Sequence, residues 1–296
     1  MITSPGNPRI KQARALRQRK ERQASGRFLV EGIFHVGEAI AAGAAVESIL
    51  YAPDLLSGDF AHQLVEQAIA GGIPCHATTA QVMHSLAEKE NPQGLLAVVC
   101  QPRTELSALQ PGNFSWGVAI VSPQDPGNVG AILRTINAVG ADGLILLDGG
   151  VDPYHPTAVR ASMGALFWHP VVNASFEEWA RWTRRHGYHV HGTSAHGDVD
   201  YRAVGGYERP LILLLGSERE GLSPEQAAVC EQVIRLPMHG RVSSLNLAVA
   251  AGVLLYAVRD NLYPPAGEKV TGESSSLRPN LREGRQLPNP TAPRRP

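Results

Sequence analysis

The chain has 296 residues, 43% of them hydrophobic, enough to bury a sizeable core and to build two domains. Its 27 basic and 27 acidic residues cancel, so net charge gives no general attraction to nucleic acid or to a membrane. The three cysteines, Cys75, Cys100 and Cys230, lie far apart with no C-x-x-C spacing, which argues against a disulfide framework or a zinc site and suits a reducing compartment. The polar start MITSPGNPRIK carries no signal peptide, and LNLAVAAGVLLYAV (245–258) is too short to span a bilayer. A soluble, cytoplasmic, metal-free protein is expected.

In chain order, the first feature is a basic helix, RIKQARALRQRKER (9–22), with seven cationic residues against one acid, Glu21. It is either a local positive field or a solvated helix face. Strands then alternate with helices: strand 28–32, helix 33–42, strand 46–51, helix 61–70, strand 73–78, helix 80–87, strand 94–100. That is a small α/β unit over residues 1–100. Residues 101–115 hold two prolines and no clean period, and read as a linker.

A second alternation covers 116–263. Strands are predicted at 117–121, 143–148, 169–173, 188–193, 210–215 and 232–236, and helices at 128–139, 156–166, 176–186, 224–230 and 245–260. Ser175 with Glu178, and Ser223 with Pro224 and Gln226, carry helix-start signals. Continuously apolar strands such as LILLL (211–215) point to a parallel sheet covered on both faces. The tail, 264–296, is rich in Pro, Gly, Ser and Arg and is expected to be disordered.

Three segments interrupt the apolar pattern with glycines and polar residues. PQDPGNVGAILR (123–134) has the strand–turn–helix layout of a phosphate loop but matches neither common glycine spacing. LLLGSEREGLSPE (213–225) and RLPMHGRVSSLNLAVA (235–250) follow later strands. Singly, each polar residue reads as a turn or cap. Together they place three polar loops at strand carboxyl ends, where open α/β sheets bind ligands. His189 and His191 in YHVHG share a strand face, but lack a carboxylate or cysteine at ligand spacing. Trp179 and Trp182 read as helix-face packing at the dimer or sheet surface.

In this order the three segments resemble the motifs of the SpoU (TrmH) family of RNA ribose 2′-O-methyltransferases, within the SPOUT superfamily. DPGNVGAILRTINAVGADGLIL is similar to the first motif and VDPYHPTAVRASMGALFWHPV to its usual continuation. LGSEREGLS is similar to the second and LPMHGRVSSLNLAVAAGVLLY to the third. The N-terminal ARALRQRKERQASGRFLVEGIFHVGEAIAAG resembles the L30e-like substrate-binding domain of members acting on ribosomal RNA, which implies RNA contacts through Arg14, Arg17, Arg19, Lys20 and Arg22.

The resemblance implies an α/β fold with a C-terminal trefoil knot, a homodimer with its sites at the dimer interface, and S-adenosylmethionine as methyl donor. It assigns cofactor contacts to Gly216, Leu236, Met238 and Leu245, with Thr193 and Ser194 beside them. It assigns the catalytic set to Asn128, Arg134, Glu218, Ser244 and Asn246. Asn128 would orient Arg134 or the target nucleotide, and Glu218 would hold the arginine or the ribose. A guanidinium stays protonated, so Arg134 suits stabilisation of a developing 2′-oxyanion better than proton abstraction. The implied reaction is methylation of a ribose in ribosomal RNA. The rivals are a transfer-RNA methylase, which would lack the L30e-like part, and a non-catalytic RNA-binding relic, which would have lost Arg134, Glu218 or Asn246.

Overall fold

The computed structural model describes residues 1–88 and 91–264. The tail from residue 265 lies outside the described residues, and with it almost the whole segment expected to be disordered. Residues 1–263 form one compact unit containing two sheets.

The first sheet holds β1 (Arg27–Glu31), β2 (Val46–Tyr51), β3 (Cys75–Ala77) and β4 (Leu95–Cys100), in the order β1-β4-β2-β3. β4 runs antiparallel to β1 and β2, and β3 runs parallel to β2. Side chains alternate across the pleat. Leu29, Leu50, Leu96 and Val98 meet α1 (Pro8–Ala15) and α5 (Ala80–Leu86) through Ile10, Ala13 and Met83. Phe28, Val30, Ile49, Ala97 and Val99 face the other way, toward α3 (Ile33–Ala41) and α4 (Asp59–Ala70) through Val36, Leu64 and Val65, in a core continuous with that of the second sheet.

The predicted basic helix is two helices, α1 and α2 (Arg19–Ser25). Gln18 is extended (φ −85°, ψ 132°), and the Arg22 guanidinium binds the carbonyls of Leu16 (2.9 Å) and Arg17 (2.7 Å) in the turn between them. The presumed linker is also anchored: Leu106, Leu109 and Phe114 are buried against the second sheet.

The second sheet is entirely parallel, in the order β7-β6-β5-β10-β8-β11-β9. Its strands are β5 (Trp116–Val121), β6 (Gly143–Leu147), β7 (Val171–Ala174), β8 (His189–Thr193), β9 (Val199–Asp200), β10 (Leu211–Leu215) and β11 (Gln232–Arg235). β5, β6 and β10 are buried at every residue, as apolar strands sandwiched between helices must be. On one face, Val118, Ile120, Leu144, Leu146, Leu213 and Leu215 pack beneath α6 (Pro126–Val139) and α11 (Leu247–Leu262). On the other, Ala119, Ile145, Ile212 and Leu214 pack beneath α9 (Phe176–His186). Trp179 and Trp182 of α9 fill that layer, and Trp182 donates to the Leu109 carbonyl at 3.1 Å, so both tryptophans serve the sheet. Both helix-start signals form as bonds: Ser175 accepts from Glu178 N, and Ser223 makes a full capping box with Gln226 before α10 (Pro224–Ala227).

Two local features depart from the sequence pattern. The helix predicted at 156–166 is α7 (Pro156–Ala161) and α8 (Ala165–Trp168), broken where Met163 (φ 49°) and Gly164 (φ 89°) turn left-handed. A Cβ on Gly164 would stand 2.7 Å from Glu38 Cγ, so glycine is required where this turn presses on α3. β9 went unpredicted because two residues carry no period.

Candidate functional site

The three polar segments meet at the carboxyl end of the second sheet. The first begins just after β5, at Ser122 (φ 40°), and Asp125 caps α6 by accepting from Gly127 N at 2.6 Å, with Pro126 in the first turn. The second is the loop after β10. Its carboxylate, Glu218, lies at the N-terminus of α6 and accepts from Gln124 N (3.1 Å), Asp125 N (3.4 Å) and the Asn128 amide (3.3 Å). Unpaired N–H groups and the positive end of the helix dipole both favour an acid there. The third is the loop before α11. Asn246 caps that helix by accepting from Ala248 N (2.9 Å) and Val249 N (3.3 Å), and donates its amide to Asn128 Oδ1 at 2.9 Å.

Asn128 is therefore the centre of a brace. Its amide nitrogen must face the acceptor-only carboxylate, which leaves its oxygen for the Asn246 donor. It is 8% exposed, and its side chain ties all three loops together. Glu218, expected to hold the arginine or the ribose, instead holds Asn128 and the backbone at 124–125.

The brace bounds a cleft of about 600 Å³, within the range of small-molecule sites. Thr193, Ser194, Gly216, Glu218, Leu236, Met238, Ser244, Leu245 and Asn246 all line it. Sequence reasoning missed His196, Arg219, Ile234, Ala250 and Leu254, which also line it. Ile234 and Leu254 are ordinary core residues in pattern, and only the packing of α11 over the sheet turns them toward a cavity.

A Cβ on Gly216 would fall 2.3 Å from the Gly221 carbonyl carbon, so glycine alone lets this loop fold back on itself. Leu236, Met238 and Leu245 offer apolar walls suited to a flat purine. Thr193, Ser194 and the loop backbone offer polar partners for ribose and amino-acid groups. This donor set fits S-adenosylmethionine.

Arg134 is not in the cleft. It lies six residues beyond Asn128 on α6, about 120° around the axis and about 9 Å along it, and its side chain is exposed. The basic segment also divides. Arg22 is 1% exposed and paired with Asp152 at 2.7 Å, which removes it from the expected RNA-binding set. Arg14 donates to Ser85 Oγ (2.9 Å), Arg17 to the Leu86 carbonyl and Arg19 to the Gly150 carbonyl (2.8 Å). Lys20 and Arg19 are exposed.

In β8, two residues before Thr193, His191 is 3% exposed, with Nδ1 3.0 Å from Gln232 Nε2 and its ring edge-on to Tyr207 at 4.9 Å. Burial lowers its pKa; Glu231 opposes that shift and His189 adds to it. Its strand neighbour His189 pairs with Glu231 at 2.7 Å. Burial pushes the Cys230 thiol up to about 11, so it is not a ready nucleophile near neutral pH.

Comparison with known proteins supplies a frame for this geometry. The model of the SpoU rRNA Methylase family matches residues 116–256, and that of the MRM3-like substrate binding domain matches residues 7–97. A 23S rRNA (uridine(2479)-2'-O)-methyltransferase of Streptomyces viridochromogenes is 34% identical over 86% of this chain and 91% of its own. A 23S rRNA (guanosine(2553)-2'-O)-methyltransferase of Bacillus subtilis is 28% identical over 87% of this chain and 98% of its own. The crystal structure of an AdoMet-bound rRNA methyltransferase from Sinorhizobium meliloti superposes with a TM-score of 0.80 at 34% identity, covering 88% of this chain and 97% of that one.

Proposed function

The chain belongs to the SpoU rRNA methylase family, and on that premise we propose that it methylates a ribose 2′-hydroxyl of 23S-type ribosomal RNA in the cytoplasm, with S-adenosylmethionine as donor. The observation that carries this reading is the brace Glu218–Asn128–Asn246, which draws three separate loops around one cleft of cofactor size. Two relatives that match over most of this chain are 23S rRNA 2'-O-methyltransferases, which favours ribosomal over transfer RNA.

S-adenosylmethionine supplies a methyl carbon bound to a cationic sulfur. In this reading Leu236, Met238 and Leu245 sandwich its adenine, Gly216 and Gly221 give it loop backbone, and Thr193 and Ser194 meet its polar groups. Asn128, Glu218 and Asn246 hold the rim rigid, so that attacking oxygen, carbon and sulfur can align, and Ser244 closes the pocket. Arg134 stays protonated and stabilises the 2′-oxygen and an adjacent phosphate as the C–O bond forms.

Because Arg134 points away from its own cleft, it is proposed to serve the cleft of a second copy. Val249, Val253 and Tyr256, spaced four and three apart along α11, are 53%, 40% and 45% exposed and form an apolar stripe for that copy to cover. The trefoil threading belongs to the same proposal; it is supported by β10 lying between β5 and β8 while the loops after β10 and β11 share one cleft. Residues 1–100 act as the RNA-docking part, 101–115 as the link and 116–263 as the transfer part.

Incubation with methyl-labelled S-adenosylmethionine and total RNA, followed by mapping of the label, tests the proposal. Label on one ribosomal-RNA ribose is expected. Label on transfer RNA, on a base, or on no RNA would reject it.

A further inference from the structure

The continuation of the first segment, residues 150–168, lines no part of the cleft, yet it touches both parts of the molecule. Its inner side seats on α6. A Cβ on Gly130 would meet the Ala158 carbonyl at 2.4 Å and Ala161 Cβ at 2.7 Å, so α6 and α7 cross in direct backbone contact. Its outer side meets the N-terminal part along its length. Gly150 accepts from Arg19 (2.8 Å), Asp152 pairs with Arg22, and Tyr154 packs on Phe28 with ring centroids 4.7 Å apart. The Arg160 carbonyl lies 3.2 Å from His35 Nε2, and Trp168 donates to Glu38 at 2.9 Å.

At the centre of this seat is Arg22. Its Nε and Nη2 both reach Asp152 Oδ2 at 2.7 Å, while Nη1 holds the carbonyls of the α1–α2 turn. The other oxygen of Asp152 accepts from Tyr154 N at 2.9 Å. One nearly inaccessible guanidinium thus joins the basic turn of the N-terminal part to the loop that supports α6, and α6 carries Asn128 and Arg134.

We propose that residues 150–168 set the register between the N-terminal part and α6, and that Arg22 is a positioning residue for methyl transfer rather than an RNA contact. This rests on the reading of the chain as an RNA methylase. RNA held by the N-terminal part reaches the cleft in the correct frame only while this seat is closed. An error of about 1 Å at a reacting centre can cost ~10²-fold in rate.

The test compares the full-length protein with Arg22→Met, Asp152→Asn and the double variant. Asp152→Asn retains an oxygen for Tyr154 N. S-adenosylmethionine affinity, RNA affinity and single-turnover methylation of a ribosomal-RNA fragment are measured for each, with small-angle scattering on the free proteins. The expected result is a fall of ~10-fold or more in the transfer rate with both affinities nearly unchanged, a larger radius of gyration, and a double variant no slower than the slower single one. Transfer within about twofold of wild type in folded variants, or loss of S-adenosylmethionine affinity in step with rate, overturns it.

If Arg22→Met does not fold, Trp168→Phe decides. It removes the half-exposed bond to Glu38 and part of the ring while leaving the Arg22–Asp152 pair in place, and should show the same pattern at smaller amplitude; wild-type kinetics there would overturn the proposal. If the wild-type protein transfers no methyl to RNA, the functional reading fails. Scattering then judges the seat alone, and identical profiles for wild type and variants reject it.

Discussion

Asn128 shows what one amide can do in this site. Its two polar atoms bond in opposite senses to Glu218 and Asn246, so Asn128→Ala strips a partner from each and unties three loops together. Loss of about 1–3 kcal/mol in urea unfolding is expected, as for an unmade buried hydrogen bond, with methyl transfer reduced more than stability. Gly216→Ala acts differently. The new Cβ meets backbone, not a flexible side chain, so the loop must open. S-adenosylmethionine affinity by calorimetry should fall by ~10-fold or more, about 1.4 kcal/mol, with the circular dichroism spectrum retained. His191 gives a pH dependence. Its pKa is lowered in the folded protein, so the unfolded chain takes up the proton first. This contribution to stability is complete above an unfolded value of about 6.5 and is lost as pH falls below it, by at most about 1.4 kcal/mol per pH unit. His191→Gln should flatten the urea midpoint between pH 7.5 and 5; an unchanged slope would remove His191 from the pH response.

Among the elements, α6 and α11 do most to connect packing with chemistry. The buried face of α6, with Val129, Ile132, Leu133 and Ile136, fixes the helix on the sheet. That fixation turns Asn128 into the cleft, and the helical period then carries Arg134 away from it. Two carriers of the first motif, close in sequence, are thus split between a copy's own cleft and, in the proposed dimer, its partner's. Arg134→Ala should leave fold and S-adenosylmethionine binding intact and abolish methyl transfer. A mixed dimer of Arg134→Ala with Gly216→Ala should regain activity, because one of its two sites then has an intact cleft and a partner arginine. No recovery in a mixture shown to exchange subunits would place Arg134 in its own cleft. On α11, Val253→Asp puts a charge into the exposed stripe and should yield monomer in sedimentation without unfolding, since Val253 is 40% exposed in the single chain.

At the scale of the whole molecule, a polar cleft and a basic N-terminal part are joined through one continuous core, in which Phe28 and Val30 of the first sheet share a cluster with Val118 and Ile120 of the second. The amino-acid order alone determined most elements and their sheet class. Runs such as LILLL have no polar face to expose, which calls for a parallel sheet covered on both faces, whereas the same strand–helix alternation in residues 1–100 builds a sheet whose β4 is antiparallel. It also marked the three loops that meet at the cleft, because glycines and polar groups at strand ends interrupt an apolar pattern that has no packing reason to break there, while the individual cofactor contacts came from the family resemblance. What only the tertiary structure decided are the partners. Arg22 reads like its six cationic neighbours, yet burial against Asp152, 130 residues away, makes it a structural pin. The family resemblance gave Glu218 to arginine or ribose, yet its hydrogen bonds go to the start of α6, 90 or more residues earlier in the chain. Periodicity describes each segment's own faces, whereas such pairings follow from which segments the closed sheet brings together, and no local pattern encodes that distance.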